Sequence, residues 1–527
     1  MPGRGFADGR PAPAMTALFI TQEYAPLFAE GGLGLTSAAL PAALHRRHGL
    51  RHDLVLPYYP WLVRRHSLRT QEVCRLPERL VAGVRSAATV HRLLPGGDAA
   101  DVYLVRADAW YERDGIYRDA AYGPFADEAE RAAFFGWCVA DWLAAGGPGY
   151  DLVHGNDWQS GAAMAHLRER FPRLPQLLTI HNAEYEGVLR ADPADLGLPP
   201  RQVHRLVMAA PRRPNLLLAG ALAADATLTC SQTYAAELLA RPPADALGAA
   251  LRASGLSGVI FGVDERLWDP AATGRATVPY DADSAEEGKR RNKLLLRQRL
   301  SLAGDADVPV IGVCSRLVPE KGTDLLIAAL SPAVRAGRVR LVLVGPAAAP
   351  LDEELRRLGR SAAGYLAHVP QFDQDVAWLT YAGADLTVMP SLFEPGGLNQ
   401  LIAYRYGTVP VVRPVGGLRD TVVDLRHDPE HGTGFHIPEH TSASVRQTVD
   451  AALEWLATGP AATVRRRVMR SSWSWDTAAD RYAAVYRRLL PPGGGHRRGV
   501  QSSPDARAST PAWKRLVAPI ESMTSEM

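Results

Sequence analysis

The sequence predicts an α/β protein built from two doubly wound units, and three observations carry this. Short apolar runs alternate with amphipathic segments along nearly the whole chain, the pattern of parallel βαβ architecture. At 527 residues the chain is too long for a single hydrophobic core. The runs also fall into two sets, divided by a polar stretch bearing Gly and Pro at 265–305. In the first set the candidate strands are 16–24, 53–57, 102–107, 151–157, 176–182 and 226–231. In the second they are 308–317, 340–345, 384–390 and 409–414. Two such units place a cleft between the carboxyl ends of their sheets, where doubly wound folds bind ligands.

The expected organisation follows from these sets. A disordered amino terminus (1–15) precedes a first domain (16–265), and an interdomain connection (266–305) leads into the first helix of the second domain (306–474). A final helix (475–490) and a disordered tail (491–527), rich in Pro, Gly, Ser and Arg, complete the chain.

Bulk properties narrow the function. A net charge of only +3 gives no electrostatic reason to expect nucleic acid or a membrane surface as partner. No apolar run approaches a membrane span, and the segment MPGRGFADGRPAPAM lacks the apolar core of an export signal. Cys74, Cys138, Cys230 and Cys314 are scattered, without zinc-ligand or disulfide spacing. Reduced thiols and a cytoplasmic location are expected. Basic charge is carried almost entirely by Arg. Lys occurs only at 289, 293, 321 and 514, so each retained Lys points to a role that a guanidinium does not fill.

The most informative segment is SLFEPGGLNQLIAYRYGTVPVVR (391–413). An apolar strand runs into a lone acid, Glu394, followed by Pro395, Gly396, Gly397 and a helix-forming run. A carboxylate at a strand's carboxyl end, beside free N–H groups opening a helix, suits a polar ligand carrying anionic groups. A plain turn with a solvated acid is the alternative; the length of the block and its partners elsewhere favour a site. One partner is SRLVPEKG (315–322), where Arg316 and Lys321 lie five positions apart and can clamp a diphosphate. In the first half, Gly31, Gly32 and Gly34 sit in a Gly-rich loop before a helix, a weak motif for diphosphate approach. HGNDW (154–158) and TIHNAEY (179–185) bring Asp157, His181 and Asn182 to the ends of two further strands.

These residues together resemble the bacterial and plant glycogen/starch synthases, retaining glycosyltransferases of the GT-B architecture, in which two Rossmann-like doubly wound domains face a central cleft. The resemblance runs from about Ala17 to Leu490. FEPGGLNQLIAYRYGTVPVVRPVGGLRDTV (393–422) and SRLVPEKGTDLL (315–326) are its most specific parts, supported by TIHNAEYEG (179–187), YAGADLTVMPS (381–391) and SWSWDTAADRYAAVY (472–486). It implies that Arg316 and Lys321 bind the donor diphosphate and stabilise its departure. Glu394 would stand beside the donor ring, with Gly396, Gly397 and Leu398 offering backbone N–H groups. Phe372 would stack on the nucleobase. His181 would face the reacting ring, while Asp157, Asn182 and Tyr185 line the acceptor side. The final helix would cross back to brace the first domain. The partners implied are a small nucleotide-linked donor and a sugar or oligosaccharide acceptor; neither cofactor nor metal is implied.

The chain also departs from the family pattern. Ala29 stands for a Lys and Leu35 for an Asp in the first loop, Phe261 for an Asn in FGVD, and Gly396 for a Cys, while HAHDW becomes HGNDW. All are expected on the cleft side, which points to a retuned pocket. The favoured expectation is therefore a specialised member, similar to the pseudo-glycosyltransferases of acarbose-type aminocyclitol pathways, joining an unsaturated cyclitol to an amino-sugar through a C–N link. The alternatives are an ordinary synthase extending α-1,4-glucan from ADP-glucose and an inactive glucan-binding homologue.

Overall fold

The computed structural model describes residues 15–25, 27–28, 32–94, 100–119, 123–304, 307–371 and 373–490. The chain forms two compact units. Of the described residues, the first takes those up to Thr229, Ala235–Val259 and those from Ala478; the second takes Cys230–Tyr234 and Ile260–Thr477.

The first unit is built on nine strands: β1 (Thr16–Ile20), β2 (Arg51–Pro57), β3 (Arg69–Val81), β4 (Val84–Leu94), β5 (Val102–Arg106), β6 (Leu152–Asn156), β7 (Gln176–Ile180), β8 (Ala226–Thr229) and β9 (Ser257–Gly258). Their order is β3-β4-β5-β2-β1-β6-β7-β8-β9, so the winding reverses between β1 and β6. Every residue of β6 and β7 is buried, His154, Asn156, Gln176 and Thr179 included, so neither strand shows the alternation of a half-exposed one. Most expected strands end a few residues sooner than their runs. This releases Glu23, Asp157, His181 and Asn182 into loops.

The antiparallel hairpin β3–β4 escapes the sequence pattern. β3 is an edge strand, largely exposed, with register shifts between Glu72 and Cys74 and between Leu76 and Arg79. Pro77 falls within the second irregularity, a position an edge strand tolerates because no ladder donor is lost. Its two-residue turn, Ala82–Gly83, has positive φ at both positions (47° and 79°), yet Ala82 gives no turn signal.

Inside the first unit, polar groups are paired with one another. His154 on β6 is fully buried. Its Nδ1 lies 2.8 Å from the Tyr486 hydroxyl and its Nε2 lies 2.7 Å from Thr179 Oγ1. The same hydroxyl lies 3.2 Å from Nε2 of buried His52. Tyr486 belongs to the final helix, Trp475–Leu489, whose residues from Ala478 count with this unit.

The second unit carries an all-parallel six-stranded sheet: β10 (Val310–Cys314), β11 (Arg340–Val344), β12 (Leu366–Val369), β13 (Leu386–Met389), β14 (Val409–Val412) and β15 (Phe435–His436). The order β12-β11-β10-β13-β14-β15 reverses the winding between β10 and β13. That reversal opens a crevice at the strands' carboxyl ends.

The expected connection 266–305 is, in its described residues 266–304, part of this unit and not a link between two. Trp268 and Tyr280 are buried there, and the helix Ala285–Arg299 lies within it. Lys289 on that helix is 3% exposed, and its ammonium is ringed by Tyr381 O, Ala382 O, Tyr406 O and Thr408 Oγ1 at 2.8–3.2 Å. Asn292, also buried, exchanges hydrogen bonds with the backbone of Val278. The segment reads as a linker because several of its interior contacts are polar and satisfied internally. Lys293 pairs with Asp385 at 2.7 Å.

No helix among the described residues is long and apolar enough to cross a membrane. Among the same residues, no group of three or more His, Cys, Asp or Glu could hold a metal ion.

The buried histidines make two expectations testable. Tyr486→Phe leaves two buried ring nitrogens without their hydroxyl, so it should cost about 2 kcal/mol, read as a lower denaturant midpoint at unchanged slope. Burial also holds His52 near a pKa of about 3 and His154 well below the ordinary histidine value. Their folded pKa values lie below the unfolded ones. Their contribution to stability is therefore complete above about pH 6.5 and is lost as pH falls toward 3, a decline that a pH series of unfolding midpoints should show.

Candidate functional site

In the second unit the loops after β10 and β13 meet at the winding reversal. Gly322 makes the approach possible: its φ is +66°, and a Cβ there would stand 2.2 Å from Pro390 O. The amide of Leu392 donates to Glu320 O at 2.9 Å, closing one loop on the other. Lys321 is thereby set against Glu394, with Nζ 2.8 and 2.7 Å from the two carboxylate oxygens. Ser391 Oγ donates to Glu394 Oε2 at 3.0 Å, and Glu394 is only 7% exposed. The sequence pattern did not anticipate this pair. Arg316 is half-buried in the same loop, and among the described residues its guanidinium has no hydrogen-bond or ion-pair partner.

The loop carrying Glu394 uses up its carbonyls. Glu394 O accepts from Gly417 N–H, and Pro395 O accepts from Gly417 N–H and Ser231 Oγ. Gly396 O and Gly397 O both accept from Gln400 Nε2, at 3.3 and 2.9 Å. The N–H groups of Gly396, Gly397 and Leu398 donate to nothing among the described residues. Three successive N–H donors left in this way are of the kind that can hydrogen-bond an anion or a polyol.

Several supports were missed in the sequence. A Cβ at Gly416 would stand 2.1 Å from Glu394 O, and one at Gly417 would stand 1.8 Å from Gly396 O, so two backbones are in direct contact. The signal for this was the Gly-Gly pair just after β14. Arg413 donates to Leu392 O at 2.6 Å, and Asn399 Nδ2 ties the following helix, Asn399–Arg405, to Cys314 O at 2.7 Å.

In the first unit, Asp157 follows β6 with φ of +53°, a conformation few non-glycine residues hold. Its Oδ1 accepts from the amides of His181 (2.6 Å) and Asn182 (3.3 Å). Burial nevertheless raises its pKa to about 7, with the charge of Glu23 adding to the rise. His181 Nε2 lies 3.0 Å from Asn156 Oδ1, and Asn156 Nδ2 donates to Ile20 O, so the oxygen accepts and the His181 proton sits on Nε2. Burial lowers the His181 pKa to about 3. This histidine is neutral at physiological pH and supplies no positive charge. Glu23, 3% exposed, accepts from the Tyr117 hydroxyl at 2.9 Å. Both were overlooked, Glu23 because it was counted in a strand.

Of the other expected residues, Asn182 Oδ1 accepts from the Glu184 amide, and Tyr185 is 46% exposed. Gly32 opens the helix Gly32–His48 and Gly34 is buried in it. Gly31, Ala29 and Phe372 lie outside the described residues. Cys138, Cys230 and Cys314 are buried, and burial pushes the Cys314 thiol up to about 12.

Of the family departures, Leu35 is 37% exposed and Ala29 lies outside the described residues, while two others are packed against neighbours. Gly155 is buried, and a Cβ there would meet Met164 Sδ at 2.4 Å. Phe261 is 7% exposed and stacks on Trp475 with ring centroids 5.6 Å apart. Gly155 and Phe261 are thus matched packing positions, and these two carry no case for a retuned pocket.

Residues 16–253 match the family "Starch synthase catalytic domain" and residues 308–455 match "Glycosyl transferases group 1". With two α/β units of parallel-sheet topology, the protein is a nucleotide-sugar-dependent glycosyltransferase of GT-B fold. The chain is 35% identical over 490 residues to the glycogen synthase of Syntrophotalea carbinolica, covering 90% of this chain and 99% of that one. It is 36% identical to the glycogen synthase of Aromatoleum aromaticum, covering 90% and 97%. Among solved structures it is similar to the catalytic domain of starch synthase IV from Arabidopsis thaliana bound to ADP and acarbose. There the TM-score is 0.79 at 25% identity, covering 90% of this chain and 99% of that one. Anabaena HepE, solved with UDP and glucose, shares the fold at a TM-score of 0.51 and 17% identity, covering 90% and 100%. The chain belongs to the glycogen/starch synthase family. These relatives favour the ordinary glucan synthase over the cyclitol-transferring specialist, which none of them supports.

The environment of Asp157 predicts a pH effect of definite sign. Its folded pKa lies above the unfolded value, so its contribution is most favourable at low pH and is lost as pH rises through about 7. Asp157→Asn keeps the Oδ1 acceptor and removes the titration. The variant should therefore gain stability relative to the parent between pH 5 and pH 8, measured by paired thermal midpoints.

Proposed function

We propose that the protein extends α-1,4-glucan by transferring glucose, with retention, from a nucleoside-diphosphate donor such as ADP-glucose. One observation carries this most directly: at the winding reversal of the second unit, a guanidinium and three N–H donors without partners among the described residues stand beside an ion-paired Lys–Glu couple. A diphosphate needs charge and donors, and a sugar ring needs an acceptor carboxylate; the two loops carry both. The relatives' names support the same substrate class.

The chemistry follows from these roles. The bond from the anomeric carbon to the diphosphate oxygen breaks, and the electron pair leaves with the diphosphate. Arg316 takes up the charge that develops there. Lys321 spends two N–H groups on Glu394 and keeps a third for the phosphate. An acceptor hydroxyl attacks the same face, and its proton passes to the departing phosphate oxygen, so no protein nucleophile is required. Leaving-group stabilisation is the largest catalytic effect. His181, neutral and hydrogen-bonded, orients rather than ionises. Charge neutralisation by side chains makes a metal unnecessary in this scheme.

The test is release of nucleoside diphosphate with a glycogen primer, from ADP- and UDP-glucose, beside nucleotide-linked cyclitols with amino-sugar acceptors. Glucan elongation is the expected result, and transfer confined to the cyclitol donor would overturn it. Arg316→Ala and Lys321→Ala should each lower turnover by about a hundredfold or more, and near-normal rates would remove the clamp from the mechanism. Excess chelator should leave the rate unchanged; a loss restored by a divalent cation would show that side-chain charge does not suffice.

A further inference from the structure

Resting on that donor-site assignment, we propose that Ser231 is a positioning residue, fixing where the N–H donors of Gly396, Gly397 and Leu398 stand, and that Gly396 is glycine because Cys230 stands against it. A Cβ on Gly396 would lie 2.9 Å from Cys230 Cβ, a distance side chains do not hold, and 3.9 Å from Phe261 Cδ2. The loop therefore lies directly on a wall made by Cys230, 2% exposed, and Phe261, itself stacked on Trp475.

That wall does not yield easily, because its segment is pinned twice. Ser231 is fully buried; its Oγ donates to Pro395 O at 2.6 Å and accepts from the Tyr234 amide at 3.1 Å. Two residues on, Thr233 gives Asp420 both its amide, at 3.0 Å, and its hydroxyl, at 2.5 Å. Asp420 belongs to the helix Gly416–Thr421, whose first two glycines touch the Glu394 and Gly396 carbonyls. The segment 230–234 and the donor loop thus grip the same short helix and each other. A side chain at 396 can be accommodated only by moving the loop, and with it the three donors. The glycine found here in place of the family's cysteine is accordingly matched to its neighbours and not a sign of a different substrate.

The experiment measures ADP and UDP affinity by calorimetry, with donor and acceptor KM in parallel. Gly396→Ala should weaken the better-bound nucleotide by about tenfold or more, raising the donor KM and leaving the glycogen KM unchanged. Cys230→Gly alone should change affinity by less than about threefold, and combined with Gly396→Ala should restore it to within about threefold of the parent. Ser231→Ala, which removes one of the two donors to Pro395 O without touching position 396, should weaken nucleotide binding at an unchanged glycogen KM, and it decides the matter if the Cys230 variant does not fold. Failure of the double variant to recover would mean that the added methyl group meets the ligand itself, and an unaffected Ser231→Ala would leave the segment without a positioning role; either result overturns the inference alone. A parent protein that binds neither nucleotide overturns the donor-site assignment, and the inference falls with it.

Discussion

Contact between backbones with no side chain between them is the constraint on which the second unit's site depends. Gly322 lies against Pro390 O, Gly416 against Glu394 O, and Gly417 against Gly396 O, each too close for a Cβ. These contacts bring three separate loops into one small volume at the winding reversal. They also settle the direction of the polar groups. Because neighbouring amides and Gln400 consume the carbonyls, the N–H groups are what remains. The acid and the ammonium are then held by the same geometry, since Lys321 immediately precedes Gly322 and Glu394 follows Pro390 by four residues.

Both burial and pairing act on the charged groups of the two units. In the first, burial works against ionisation: His181 is neutral, Asp157 titrates near neutrality, and His52 and His154 are uncharged within the core. In the second, Lys321 meets Glu394 and Lys293 meets Asp385, while Lys289, ringed by oxygens, has its pKa lowered well below the ordinary lysine value by burial. All three lysines in the described chain meet specific oxygen partners. A compact ammonium with rotatable donors fits such sites better than a planar guanidinium.

Much of this was legible in the sequence, because parallel strands buried on both faces leave unbroken apolar runs, and Gly-rich turns follow them. Arg316, Lys321, Glu394, Asp157 and His181 could be placed at strand ends for that reason. What was not legible depends on contacts between segments distant in sequence. The Lys321–Glu394 pair spans two loops, and the Asp157 carboxylate turns inward onto the amides of His181 and Asn182. Residues 266–305 looked like a linker because periodicity registers apolar burial and is blind to a buried Lys289 or Asn292 that finds its partners inside. The departures at Gly155, Phe261 and Gly396 looked like a changed pocket, since a linear pattern does not show that each fits against a specific neighbour.

The exposed strand β3 also has a consequence for the molecule as a whole. It is thirteen residues long, which is ample for recruiting another strand along its free side. Pro77, two breaks in register and alternating Arg and Glu side chains interrupt that row of amide groups. A straight, uncharged strand of this length would template fibril-like stacking between molecules. The same irregularities that hid this strand from periodicity are what keep its sheet finite.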